Sequence, residues 1–200
     1  MKWKFALLPC CFLAASCVHS ALGEPAAPPK YVDEAPLPKG WPTPGPYDAV
    51  VEKKLPAYRA AFTTRAGQNG AFWTLFRHIQ RHNIPMTAPV EMAMEPADDL
   101  LRQASMAFLY QDTDVGTTGP DGETVEVRDV PAAQALTYAW QGPDNRENLR
   151  NAKEALDAEL QRRGIKAGGF RLLGYNGPST PRAKKTWELQ ALLPEPGKAR

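Results

Sequence analysis

The sequence predicts a single α+β domain, a distorted antiparallel β-barrel made of two pseudo-symmetric ββαββ halves with eight strands and two helices. Three observations predict it. After residue 47, strand-like alternation twice brackets one amphipathic helical segment; the two sets run in the same order; and 200 residues hold one core of ordinary size. Each half presents one apolar sheet face and one amphipathic helix, and the two can bury these only against each other. As independent units of about 70 residues they would be marginal without disulfides or metal.

In the first half, residues 47–55 read as a strand and Pro56 breaks it. Tyr58, Ala60, Phe62 and Thr64 then alternate with Arg59, Ala61 and Thr63 as a second strand. Over 70–82, Phe72, Leu75, Phe76 and Ile79 recur at helical spacing. Met86, Ala88, Val90, Met92 and Met94 share one face of a third strand; after a polar loop, Met106, Phe108 and Tyr110 share one face of a fourth.

The second half repeats this order. Val125 and Val127 lead to Val130-Pro131-Ala132, which echoes Leu55-Pro56-Ala57, and Leu136, Tyr138 and Trp140 alternate in the next strand. Asp144 with Glu147 three residues on marks a helix start, Leu149, Ala152, Leu156 and Leu160 form its stripe, and Gly164 ends it. Residues 169–175 and then Trp187, Leu189, Ala191 and Leu193 complete the eight strands.

Ahead of the domain, Lys2 and Lys4 followed by the apolar run from Phe5 to Ala15 form the charged and apolar regions of a secretory signal, and the run is too short to span a bilayer. Two endings are open. Ala21-Leu22-Gly23 suits cleavage before Glu24, giving a signal over 1–23; Leu13-Ala14-Ala15-Ser16-Cys17 resembles a bacterial lipobox, giving a signal over 1–16 and a lipid anchor on Cys17. Both place the domain in the periplasm or cell envelope, and such an anchor would be its one attachment to a membrane. Residues 24–46 contain eight prolines in 23 positions and read as an extended linker, leaving a domain over 47–194 and a tail over 195–200.

Loss of Lys2 and Lys4 leaves 22 basic residues against 22 acidic, so the basic excess of a nucleic-acid binder is missing. Basic residues gather at 77–81 and 182–185, and a solvated face is the ordinary reading of each cluster. Cys10, Cys11 and Cys17 lie in or beside the signal, so the domain has no thiol for a disulfide, an iron–sulfur cluster or a thiolate ligand.

The sequence has no G-x-S-x-G elbow, P-loop, H-E-x-x-H or Cys-x-x-Cys. After the signal its histidines are His78 and His82, four apart on the first predicted helix, where a pair can meet one metal or either can ligate a haem iron. Flank histidines are more often solvated, and no sulfur or carboxylate lies near them in sequence to complete a zinc site. Met92 and Met94 read as flexible core filling, whereas Met86, beside Pro85, is a candidate for lining a pocket.

The run Ala71-Phe72-Trp73-Thr74-Leu75-Phe76-Arg77-His78-Ile79, followed by Asn83-Ile84-Pro85-Met86-Thr87-Ala88-Pro89-Val90, resembles the SOUL haem-binding family's helix and its following I-x-M-T-A-P-V stretch. Leu55-Pro56-Ala57-Tyr58, Val130-Pro131-Ala132, Gly174-Tyr175-Asn176 and Lys185-Thr186-Trp187-Glu188-Leu189 match in the family's order. The resemblance implies a non-enzymatic binder of haem, non-covalent and b-type, or of another porphyrin. Its apolar groove would lie between the first helix and the loop 176–182. The binding residues it points to are Phe72, Leu75, Arg77, His78, Arg81, His82, Met86, Tyr175 and Arg182. His78 and His82 are the candidate metal ligands, the arginines the candidate partners of propionates, and the protein is expected to be a monomer. Two other functions remain open: a general small-molecule module, favoured by a dry pocket without basic anchors, and a tetrapyrrole-modifying enzyme using His78, His82 or Glu91.

Overall fold

The computed structural model describes residues 30–64 and 70–194. Among them are two helices and nine strands in one antiparallel sheet. The strands are β1 (Val50–Leu55), β2 (Tyr58–Thr63), β3 (Val90–Ala97), β4 (Leu100–Leu109), β5 (Gly119–Asp121), β6 (Val125–Val130), β7 (Ala133–Gln141), β8 (Gly169–Gly174) and β9 (Thr186–Leu192); the helices are α1 (Ala71–Arg81) and α2 (Arg146–Arg163). No described helix is long and apolar enough to cross a membrane.

The strand order is β1-β7-β9-β8-β3-β4-β2-β6-β5. Apart from β5, it reads alike from both ends. Each half lends its first strand to the other, β1 pairing with β7 and β6 with β2, and the halves join in the middle through β3 and β8. This exchange makes one cooperative unit, because neither half holds its own first strand.

The expected closed barrel is not found. The sheet is open, with β1 at one edge and β5 at the other. The ninth strand, β5, has the sequence Gly-Pro-Asp, which carries turn residues rather than strand alternation, and it survives only as a three-residue edge beside β6. Strand β3 starts later than expected, at Val90, after Pro85 and Pro89. The expected polar loop before Met106 is instead a long β3–β4 hairpin turning at Asp98, whose φ is 48°. Between the pairs Ala93–Ser105 and Met94–Gln103 the register shifts, and the extra residue, Ala104, masks the alternation of β4. Helix α2 is capped by Asn145, which accepts from the Asn148 N–H at 2.9 Å, rather than by Asp144; Gly164 ends it in the left-handed region, as expected.

Strict alternation separates two faces. Ala61, Phe108, Val125 and Val127 pack under Leu75 and Ile79 of α1, while Leu136, Trp140, Leu189 and Ala191 pack under Ala152, Leu156 and Leu160 of α2. Their neighbours Tyr58, Ala60, Ala107, Leu109, Ala135 and Leu173 point to the opposite face and gather around Trp41 and Tyr175. Trp41 lies in the stretch expected to be a linker. Over 30–46 that stretch is docked: the Ala88 N–H donates to the Pro36 carbonyl at 3.0 Å, the Lys39 N–H donates to the Gln111 carbonyl at 2.8 Å, and Tyr31 and Leu37 pack on the core. Its prolines hold it extended while its aromatic residues anchor it.

The same face carries a buried polar chain. The Tyr58 hydroxyl donates to Glu91 at 2.7 Å and accepts from Arg171 at 2.6 Å, and Arg171 also reaches Glu91 at 2.9 Å and Gln190 at 2.8 Å. Gln190 continues to Glu188 at 2.7 Å, which takes Lys53 at 2.5 Å. Burial first, and then the charge of Glu91, hold the Tyr58 hydroxyl far above its ordinary pKa, so it stays protonated.

Candidate functional site

Helix α1 presents Phe72 and Phe76 at i and i+4, their rings stacked with centroids 6.0 Å apart, and Phe72 sets its edge on Phe108 at 5.1 Å. Facing them are the 85–89 connection, through Met86, Thr87 and Ala88, and the start of the β8–β9 connection, through residues 176–179. Between them lies a groove of about 310 Å³, near the lower end of ligand sites. Val90 and Gly174 form its floor, and Glu34 and Ala35 contribute one wall. A Cβ on Gly174 would stand 2.8 Å from Cζ3 of Trp187, so only glycine fits there.

The walls are tied down. The Thr87 hydroxyl donates to the Leu109 carbonyl at 2.5 Å. Asn176 donates through Nδ2 to the Val32 carbonyl at 2.7 Å and accepts from the Thr186 N–H at 2.8 Å. Glu34 accepts from the Gly177 N–H at 2.7 Å and from the Thr180 hydroxyl. These two bonds, Thr180 first, hold its carboxyl below the usual range. A carboxylate with a lowered folded pKa contributes above its unfolded pKa, roughly 4.3, and the clasp is lost as pH falls through the folded value.

Of the residues predicted from sequence, the groove unites Phe72, Met86 and Tyr175. Tyr175 is fully buried, its hydroxyl accepting from Trp41 Nε1 at 3.4 Å, and burial pushes its pKa well up. The others lie elsewhere. Leu75 is buried in the α1 core; Arg77 and Arg81 border a different hollow, with Thr124 and Val125; and Arg182 is exposed in a single 3₁₀ turn over Arg182–Lys184. No Lys or Arg lines the groove among the described residues, and Glu34 is its charged residue.

His78 and His82 face away from the groove. The expectation of a solvated pair fails for His78, which is 2 % exposed. Its Nδ1 meets Asp121, and its Nε2 lies 2.7 Å from the Tyr110 hydroxyl. An ionised carboxylate only accepts, so Nδ1 carries a proton; in the neutral ring Nε2 is then the acceptor and Tyr110 donates to it. Both ring nitrogens are therefore engaged. Asp121 also takes Arg81 at 2.6 Å and lies 3.2 Å from His82 Nε2, and the His78 hydrogen bond is the leading cause that lowers its pKa. Burial, then the Asp121 charge, pushes Tyr110 up to about 12. Glu91, the other candidate acid, belongs to the buried chain with Tyr58 and Arg171 and does not border the groove.

Phe76 and Glu34 were not among the expected groove residues. Phe76 had a signal, its i+4 spacing from Phe72, which equally fits a core stripe; Glu34, within a proline-rich stretch, had none.

A family model described as SOUL heme-binding protein matches residues 48–190. No curated protein sequence matches the chain. Among solved structures, the C-terminal domain of EcmrR is similar at 16% identity with a TM-score of 0.54, covering 72% of this chain and 96% of that one. A hydrolase from Listeria innocua is similar at 12% identity with a TM-score of 0.53, covering 74% of this chain and 93% of that one. At such identities the likeness is one of fold.

Proposed function

The chain belongs to the SOUL heme-binding family, and from that premise we propose that it holds haem or a related tetrapyrrole by its apolar face in the groove between α1 and the 176–179 loop. The stacked Phe72 and Phe76 opposite Met86 carry this reading, because they give the groove the apolar lining a porphyrin face needs. The histidines lie off the groove, so Met86 offers its one soft ligand atom among the described residues, and binding rests on apolar contact. The role proposed is that of a non-enzymatic binder or carrier, exported through the 1–23 or 1–16 signal. Both signals lie outside the described residues. Intact-mass measurement on protein from native membranes is expected to find Glu24 free or Cys17 lipidated, and an unprocessed chain would refute export.

Titration with haemin, followed at the Soret band, tests the groove. Wild type should saturate, Phe76→Ala should weaken binding about tenfold through lost apolar contact, and His82→Ala and Arg77→Ala should stay within about twofold of wild type. Loss of binding in His82→Ala with Phe76→Ala unaffected would refute the groove. A second reading, a general small-molecule module, is favoured by one observation, the lack of Lys or Arg lining the groove among the described residues. Absence of saturable haemin binding by wild type would select it.

A further inference from the structure

Helix α1 and strand β5 bring together a group that lies outside the groove and that the tetrapyrrole reading does not use. His78 and His82 project from the same flank of α1 one turn apart, and Asp121 reaches them from β5. One ligand atom from each lies within 4.8 Å of the other two. We propose that His78, His82 and Asp121 form a separate site for a divalent transition-metal ion of the Zn²⁺ class.

The donor set suits such an ion. Two imidazoles and one carboxylate are borderline ligands preferred by Zn²⁺ and its neighbours over Mg²⁺ or Ca²⁺. Metal–ligand bonds of roughly 2.0 to 2.1 Å at tetrahedral angles put ligand atoms about 3.3 Å apart. The His82 Nε2 to Asp121 Oδ2 separation, 3.2 Å, already has that length. The hydrogen-bonded His78–Asp121 pair must open, and Asp121 sits at the end of a short edge strand between Gly119 and Gly122, both with positive φ, where backbone adjustment is easy.

The surroundings are those of a ligating histidine. To bind a metal through Nδ1 the neutral ring takes its other tautomer, with its one proton on Nε2 instead of Nδ1, and the Tyr110 hydroxyl, 2.7 Å away, turns from donor to acceptor. An outer partner of this kind fixes the ring and commonly contributes ten- to a hundredfold in affinity. Arg81 supplies the positive charge that Asp121 takes without metal; its side chain is 63 % exposed and can swing away. Three protein ligands leave a fourth position open to water or a small anion.

Zn²⁺ titration of the untagged protein by calorimetry, with Co²⁺ as a visible-absorption reporter, tests this. One Zn²⁺ per chain should bind, with Co²⁺ giving tetrahedral-type absorption. Asp121→Asn and His82→Ala should each weaken binding at least tenfold, Tyr110→Phe about tenfold, and Arg81→Gln should tighten it severalfold by removing a competing cation. His82 and Arg81 are exposed, so those variants retain the fold even if changes at buried His78 do not. Phe76→Ala should bind Zn²⁺ as wild type does. No stoichiometric Zn²⁺ binding, or binding that is unchanged in both Asp121→Asn and His82→Ala, would overturn the site. Loss in Phe76→Ala would overturn its separation from the groove. None of these readouts involves haemin, so they stand or fall independently of the tetrapyrrole reading.

Discussion

Arg171→Met is expected to destabilise the domain by about 3 to 5 kcal/mol, because it strips a buried carboxylate of its cation. Arg171 and Glu91 are nearly solvent-free, 2.9 Å apart, and joined through the Tyr58 hydroxyl. Met fills the volume but leaves the Glu91 charge facing one hydroxyl in a low-dielectric interior, and Gln190 loses its donor. The double variant Arg171→Met with Glu91→Gln should recover a substantial part, since it removes both charges rather than orphaning one. Guanidinium unfolding of the four proteins of this cycle measures the effect; a loss below about 1 kcal/mol in the single variant would show that the chain of contacts does not bear on stability. Arg171 Nη2 has no hydrogen-bond partner among the described residues, and the guanidinium stands over Trp41 and Tyr58 at 5.5 and 5.6 Å. The network is thus incompletely satisfied, which is why removing both charges together should cost much less than removing one.

What the sequence conveyed depended on how local the signal was. The order of elements, α1 and the Gly164 helix end were legible because periodicity and a left-handed glycine are local features. The β3–β4 hairpin was not, because the register shift opposite Ala93/Met94 places an extra residue, Ala104, in β4 and breaks there the period of two that identifies strands. Strand β5 hid behind Gly119 and Pro120, and with it went Asp121, the residue that gives His78 and His82 a shared partner. Helical spacing put the histidines on one flank, but which flank faced the groove depended on how α1 docks on β2, β4 and β6, a tertiary fact. The resemblance likewise pointed to a groove between α1 and the 176–182 loop, of which 176–179 border the hollow, and left out a third wall, Glu34 and Ala35, which comes from outside the matched residues 48–190.

That third wall leads to the other large effect. A chain beginning at Tyr47, the boundary that proline content suggests, is expected to be far less stable than one beginning at Lys30. Trp41 is 5 % exposed and packs edge-on against Tyr58 at 5.2 Å, and losing such an aromatic from a core costs about 3 to 5 kcal/mol. Removing residues 30–46 also uncovers Arg171 and the Tyr175 hydroxyl, and it releases the bonds that Pro36 and Lys39 make to Ala88 and Gln111. Against a total stability of about 5 to 15 kcal/mol for a domain, the shortened chain would be marginal or unfolded. The point variant Trp41→Ala isolates the packing part, and Glu34→Ala isolates the clasp on Gly177 and Thr180. The first should lower the guanidinium midpoint strongly. The second should lower the midpoint only slightly, since Glu34 is exposed and its clasp is worth little, yet alter haemin affinity by loosening the groove wall. Equal midpoints for chains starting at Lys30 and Tyr47 would mean that residues 30–46 rest on the domain without stabilising it. A lowered midpoint for Tyr47, with Trp41→Ala accounting for most of it, would make this extended segment part of the fold, because it closes the sheet face that the strands leave open.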